Sequence, residues 1–437
     1  MNLGFFDLLK SKVVGTNNGH RAKHTPAAKR HEPASPAPAT STPPKSSRAD
    51  LWRQCETLAK SPRILDRFAE DLKRSGVVGE ERTAKLVYLA VTSRWFGRPV
   101  SVAVKGPSSG GKSYTVQQVL KFFPADAYYD LTAMSDRALA YSTEPVQHRF
   151  VVLYEAAGMK GQTASYLVRS LLSEGRIRYE TVEKTKAGLQ AKLISREGPT
   201  GLITTTTLIG LHPENETRLL SVTVKDSAEQ TADIMRAMAE EKPAAVDLAP
   251  WHALQEWLAG GERKIAIPYG EELAMKIPPL AVRLRRDFGT LLALIKAHAF
   301  LHQATRQRDA QGRIVATLDD YTAVRELVAD LISEGVNASV SATIRETVQA
   351  VATLQAESPQ GVSLPKLAAA LKIDKSAVSR RVKDSESKGY LVNLEDQKGK
   401  PARLVLGDPL PADAELLPAP ENLECCSVAD RKGGIQE

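Results

Sequence analysis

An α/β core flanked by helices and followed by a small module of helices and a hairpin is the architecture this sequence predicts. Three observations lead there. Between Val100 and Val224 short apolar strands alternate with helical stretches, the pattern of a parallel sheet covered on both faces. On either side, over 51–98 and 228–338, the pattern is helical, with apolar residues such as Leu58, Ile64, Leu65, Phe68 and Leu72 at mostly three- and four-residue spacing. Over 339–408 helical periodicity gives way to two short strands around a polar turn.

Taken in order, the chain opens on a segment, 1–50, that holds +5 of the protein's net charge of +8 and is rich in Pro, Ala, Ser, Thr and Lys. That composition buries too little apolar surface to offset its ordering entropy, so a disordered basic arm is expected here. Aromatic residues make up only 5% of the 437 residues, so Leu, Ile, Val and Ala must build the cores. Cys55 and the adjacent Cys425 and Cys426 have no zinc spacing and form no disulfide framework, which argues for a reducing compartment. No stretch has the length of a membrane span or the apolar segment of a signal peptide, so a cytoplasmic protein with no membrane partner is expected. The segment 409–437 has several prolines and little periodicity and reads as a flexible tail.

The core segment, 99–227, carries the chemistry. Val100 to Val104 is a short apolar strand that runs into Gly106, Pro107, Ser108, Ser109, Gly110, Gly111, Lys112 and Ser113, then into a helix from Tyr114 to Phe123. This is G-x-x-x-x-G-K-[ST] in its strand–loop–helix setting, a phosphate-binding P-loop. Glycines let the backbone curl until successive N–H groups face the phosphates, and the helix N-terminus adds a positive dipole end. Lys112 would reach the β- and γ-phosphates, and Ser113 Oγ would coordinate Mg²⁺. ATP and Mg²⁺ are the cofactors implied.

Phe150 to Glu155 reads as a second apolar strand, ending in the carboxylate that would polarise the attacking water and help hold the metal. Tyr154 stands where an aspartate is often found beside the metal. A third strand, Gly201 to Thr207, ends in hydroxyls, and Thr205 and Thr206 are candidates to sense the γ-phosphate, with Thr206 preferred. Arg218 follows closely, placed to neutralise charge in a neighbour's site or else to pair with Glu214 or Glu216.

Two further features point to nucleic acid. Arg176 to Ile194 reads as a hairpin with Lys184 and Lys186 in its turn, suited to gripping a phosphate backbone. Over 339–408 a helix, a helix–turn–helix and a β-wing make a winged helix. Its second helix exposes Lys375, Ser376, Ser379, Arg380 and Lys383, and its wing carries Lys398, Lys400 and Arg403. Winged helices also dock proteins, so the fold alone does not assign DNA.

The run from Lys85 to about Thr231 resembles the ATPase (helicase-like) domain of phage, plasmid and integrative-element primase–helicase proteins. The matching stretches are Val104 to Ser113, Val152 to Gly158, Arg169 to Arg176, Glu197 to Gly201 and Asn215 to Leu220. Val282 to Phe288 is similar to the segment that follows that core. The resemblance implies an AAA+-like or superfamily-3-like P-loop NTPase core working on DNA, single-stranded or forked, as a homo-oligomeric ring, with Arg283 or Arg286 as a second sensor of ATP. No primase module is present in the sequence, so priming would need a partner protein. Two rivals stay open: an ATP-regulated switch that binds a specific duplex operator, and an interaction protein that uses nucleotide only for assembly.

Overall fold

The computed structural model describes residues 46–155, 161–186, 188–207, 213–239, 245–338, 340–395, 397, 400–410 and 416–423. The expected basic arm lies outside them except at 46–50, where the structure differs from the expectation. Helix α1 (Arg48–Ala59) already begins there, because Ser47 caps it by accepting the Asp50 amide at 3.2 Å. Helices α2 (Ile64–Arg74) and α3 (Glu81–Thr92) follow, and α3 is buried on every side from Leu86 to Thr92.

The sheet comes next. Strands β1 (Val102–Lys105), β2 (Tyr128–Leu131), β3 (Arg149–Leu153), β6 (Thr200–Thr206) and β7 (Leu220–Thr223) lie in the order β2–β3–β6–β1–β7, all parallel. Strand β6 is therefore inserted between β1 and β3. Helix α4 (Lys112–Leu120) follows β1, α5 (Ala138–Tyr141) precedes β3, α6 (Gln162–Glu174) follows it, and α7 (Pro213–Glu216) precedes β7. Strands β4 (Arg176–Thr185) and β5 (Gly188–Glu197) form a separate antiparallel ribbon, longer than the sequence predicts.

Alternation along the strands divides the sheet between two cores. Val102, Val104, Phe150, Val152, Ile203 and Val222 enter one hydrophobic cluster, and Ala103, Val151, Leu153 and Leu202 enter the other, with α5 and α6. The first cluster is completed from far along the chain. Helices α8 (Ala228–Ala239), α9 (Ala249–Ala259) and α10 (Gly270–Lys276), with β8 (Ile265–Ala266), lead to α11 (Leu284–Leu301), β9 (Ile314–Val315) and α12 (Leu318–Ala338). Trp251 of α9 stacks edge-on against Phe68 and Phe122, with ring centroids 5.9 and 5.5 Å apart, and its indole donates to Asp71 at 2.9 Å. The sequence treats 51–98 and 228–338 as regions apart. The structure packs α1 to α3 and α9 to α12 on one sheet face, since neither set of amphipathic helices can bury its apolar side alone.

A third cluster is built by α13 (Ala342–Glu357), α14 (Leu364–Leu371), α15 (Lys375–Ser387), β10 (Leu391–Asn393) and β11 (Leu404–Leu406), through Ile344, Val348, Leu367, Val378, Val382, Leu391 and Leu404. The tail expected over 409–437 needs correction where it is described. Leu416, Leu417 and Leu423 are buried, Tyr321 Oη donates to the Pro418 carbonyl at 2.6 Å, and the Leu416 amide donates to Ser333 at 3.2 Å. Three leucines in that short stretch give enough apolar surface to dock on α12. No helix among the described residues is long and apolar enough to cross a membrane.

One buried polar cluster makes stability sensitive to acid. Asp320 is fully buried and accepts His298 Nδ1 at 2.6 Å, Arg306 at 2.6 and 3.1 Å, and the Thr317 amide at 2.7 Å. Burial pushes its carboxyl up, but the His298 and Arg306 hydrogen bonds outweigh this and hold it at about 2. His302 stacks on His298, and neither of its ring nitrogens has a hydrogen-bond partner among the described residues. Burial first, then His298 and Arg306, push His302 down from 6.5 to about 3. Between those values the unfolded chain binds a proton that the folded chain refuses. The stability that a neutral His302 contributes is therefore fully present above pH 6.5 and is lost as pH falls through that window. The urea midpoint is expected to drop between pH 7 and pH 5, and His302→Leu to flatten that drop; parallel melts of both proteins check it.

Candidate functional site

Backbone conformation builds the loop after β1. Gly106 has φ 150, and a Cβ there would lie 2.4 Å from Val224 Cγ2. Ser109 and Gly111 are left-handed at φ 66 and 74, and Gly111 is the N-cap of α4. The Gly110 amide donates to the Pro107 carbonyl at 3.2 Å, and the Thr115 amide donates to the Gly111 carbonyl at 2.8 Å. Lys112 is buried and its amine donates to the Pro107 carbonyl, so the cation lies against the loop it belongs to. Pro107, Ser108, Ser109 and Tyr114 are exposed. The loop is thus an anion cradle at a helix N-terminus, with a lysine already inside it.

The inserted strand β6 connects this loop to Glu155. Thr205 shares the face of Ile203, the face that α4 covers, and its Oγ1 lies 3.4 Å from Ser113 Oγ. The same hydroxyl accepts the Glu155 amide at 3.1 Å. Glu155 lies beyond the end of β3, exposed, with φ 74. For a non-glycine residue that conformation costs about 1–3 kcal/mol and is held only where the surroundings impose it. Ser113, Thr205 and Glu155 thus meet at the mouth of the P-loop. Thr206 takes the next register position, and alternation turns its side chain to the opposite face, away from α4. Thr205 thus brings its hydroxyl to Ser113 and the Glu155 amide, while the backbone carbonyl of the preferred Thr206 accepts the Gly106 amide at 3.3 Å.

Magnesium commonly binds one or two carboxylates, a hydroxyl, substrate phosphate oxygens and water. Ser113 and Glu155 fit that set. Among the described residues no group of three His, Cys, Asp or Glu side chains is arranged to hold a metal without phosphate. Tyr154 does not stand in for the missing aspartate. Its hydroxyl is pushed up to about 12, by burial first and then by the Asp130 carboxylate on the adjoining strand, so it stays a neutral phenol.

A parallel sheet flanked by helices, with this loop after β1, fits the core of an α/β P-loop NTPase. Residues 57–250 match the family described as the MTBMA_p00010 P-loop domain. No curated protein sequence matches the chain. Similar solved structures include a full-length MCM homolog from Methanopyrus kandleri, at 13% identity over 66% of this chain and 62% of that one, with TM-score 0.43. Another is the Aeropyrum pernix ORC1 protein in complex with DNA, at 13% identity over 82% of this chain and 93% of that one, with TM-score 0.26. The chain therefore spans less than two thirds of the MCM homolog.

The remaining candidates are held by other partners or exposed on other elements. Arg218 precedes β7, and its Nε donates to Ser173 of α6 at 2.7 Å, while Glu216 pairs with Lys105. Arg283 pairs with Asp287 at 2.9 Å, and Arg286 donates to Thr217 at 2.7 Å. Lys184 and Lys186 are exposed at the tip of the β4–β5 ribbon. The ribbon is not merely basic: Val182, Leu189 and Leu193 share one face and are 63%, 76% and 50% exposed. On α15, Lys375, Ser376, Arg380 and Lys383 are exposed, Ser379 is half-buried, and Asp374 caps the helix by accepting the Ser376 and Ala377 amides at 2.9 Å. Lys400 is exposed, Arg403 donates to the Gln360 carbonyl at 3.1 Å, and Lys398 lies outside the described residues. Ser173 and Arg169, four residues apart on α6, fall in the Arg169–Arg176 stretch, but the sequence reading singles out neither as a site residue.

Thr205→Val removes the acceptor of the Glu155 amide, a loss worth about 1–3 kcal/mol. Nucleotide turnover is expected to fall by roughly tenfold or more, while Thr206→Val stays near wild type; steady-state hydrolysis rates of the two variants check this.

Proposed function

We propose that this chain is an ATP-hydrolysing motor of the helicase type that acts on DNA in the replication of a phage-like or mobile element. One observation carries the reading: Ser113, Thr205 and Glu155 converge on the P-loop, with Glu155 held in a strained conformation. Lys112 and the loop amides bind the triphosphate, and Ser113 contributes to the magnesium shell. Bound magnesium supplies charge neutralisation at the phosphates. Glu155 orients the attacking water, and Thr205 fixes the Glu155 backbone. Arg218 acts across a boundary between copies in a ring.

The DNA part of the reading rests on two basic surfaces. Lys184 and Lys186 tip a ribbon that projects beyond the sheet, and Lys375, Arg380 and Lys383 line the exposed side of α15. We take residues 339–408 as a winged helix because three helices and a two-stranded wing enclose one small core. The resemblance of Lys85 to Thr231 to primase–helicase proteins supplies the replicative setting, the ring and a separate primase as partner.

The decisive experiment is hydrolysis of ATP with and without forked or single-stranded DNA. Strong stimulation is expected, abolished by Lys112→Ala and by Glu155→Gln. Normal turnover by Glu155→Gln would remove Glu155 from the chemistry, and tight binding to one duplex sequence without stimulation would favour a switch over a motor. Lys184→Ala combined with Lys186→Ala is expected to weaken the stimulation several-fold and spare turnover without DNA; unchanged stimulation would exclude the ribbon as the DNA contact.

A further inference from the structure

The chain leaves its first cluster, builds another and then comes back. Helix α12 ends at Ala338 and α13 begins at Ala342. The C-terminal module closes around its own cluster, and Leu416, Leu417 and Leu423 then rejoin the first one. Side chains meet the returning backbone group by group. Ser333 Oγ accepts the Leu416 amide at 3.2 Å, Arg325 Nε donates to the Leu417 carbonyl at 3.4 Å, and Tyr321 Oη donates to the Pro418 carbonyl at 2.6 Å. Tyr321, Arg325 and Ser333 are spaced by multiples of four residues, which sets them in one stripe along α12. From α10, Lys276 donates to the Asn422 carbonyl. Pro418 and Pro420 have no N–H to leave unpaired there. A helix face that satisfies a segment's backbone and also buries its leucines is a seat built for that segment.

Seating has a geometric consequence. Leu410 still packs on the module's core, and the chain from Leu410 to Leu416 reaches at most about 21 Å. At its other end the module joins α12 directly, through 339–341. Helix α12 is itself fixed to the core. Arg82 of α3 donates to the Leu327 carbonyl at 2.8 and 3.1 Å and to Asp330 at 2.7 Å. The module is therefore tied at both ends to one immobile helix. A module tied once swivels about its joint; tied at two separated points, it loses most of that freedom.

We propose that residues 416–423 are a clamp. Seated on Tyr321, Arg325 and Ser333, they fix the orientation of the C-terminal module, and with it the exposed basic side of α15, relative to the P-loop core. The inference does not depend on the ATPase reading, because it concerns where α15 is held and not what is hydrolysed.

Cutting the tether in the folded protein tests it. In the full chain, residues 411–415 are replaced by the site of a sequence-specific protease. Spin labels are attached at Glu70→Cys on α2 and Asp384→Cys on α15, both exposed positions, with Cys425→Ser and Cys426→Ser. The uncut protein is expected to give one narrow label-to-label distance. After cleavage the leucines keep 416–423 seated, so the melting temperature is expected to stay unchanged while the distance distribution widens by at least about twofold. A distribution that stays narrow after complete cleavage overturns the inference, because the module's own contacts then hold it. One that is broad before cleavage overturns it as well. Leu417→Asp, which unseats the clamp without a cut, is expected to widen the distribution to the same extent, and wild-type width in that folded variant also overturns the inference.

Discussion

The hydroxyl of Thr205 is the point on which the candidate site turns. It accepts the Glu155 amide at 3.1 Å and lies 3.4 Å from Ser113 Oγ. One side chain can touch both only because β6 is inserted between the strand that leads into the P-loop and the strand that ends near Glu155. The hydrogen bond also stabilises the left-handed backbone of Glu155 and so fixes where its carboxylate leaves the chain. Sheet order, backbone strain and the placement of two candidate reactive groups are therefore one constraint seen at three scales.

Some of this was legible in the sequence. The P-loop was, because its chemistry is local: Gly106 to Ser113 specify a curled backbone and a helix start within eight adjacent positions. Glu155 was legible as the end of an apolar run. The choice between Thr205 and Thr206 was not, because every residue of β6 is buried. A strand covered on both faces reads as a continuous apolar run, and its parity carries no signal until the covering helices are known. The docking of Leu416, Leu417 and Leu423 was hidden for a related reason, since three leucines among prolines have no period to reveal which surface receives them.

Arg218 shows the opposite difficulty. Its nearness in sequence to the Thr204–Thr207 run suggests nearness in space, yet it lies in the turn that leads into β7, with its Nε held by Ser173 of α6. In a parallel sheet successive strands must restart at the same end. A residue just before a strand is therefore far from a loop just after its neighbour.

The aromatic cluster under the sheet has a consequence for how the protein is made. Phe68, Tyr88 and Phe122 wait for Trp251 to close over them. When the ribosome has finished β7, the nucleotide loop is already synthesised but one wall of its core is still missing. Closing that wall joins segments about 180 residues apart, a non-local step of the kind that slows folding. Until then an apolar face stays open to solvent, to chaperones and to other nascent chains.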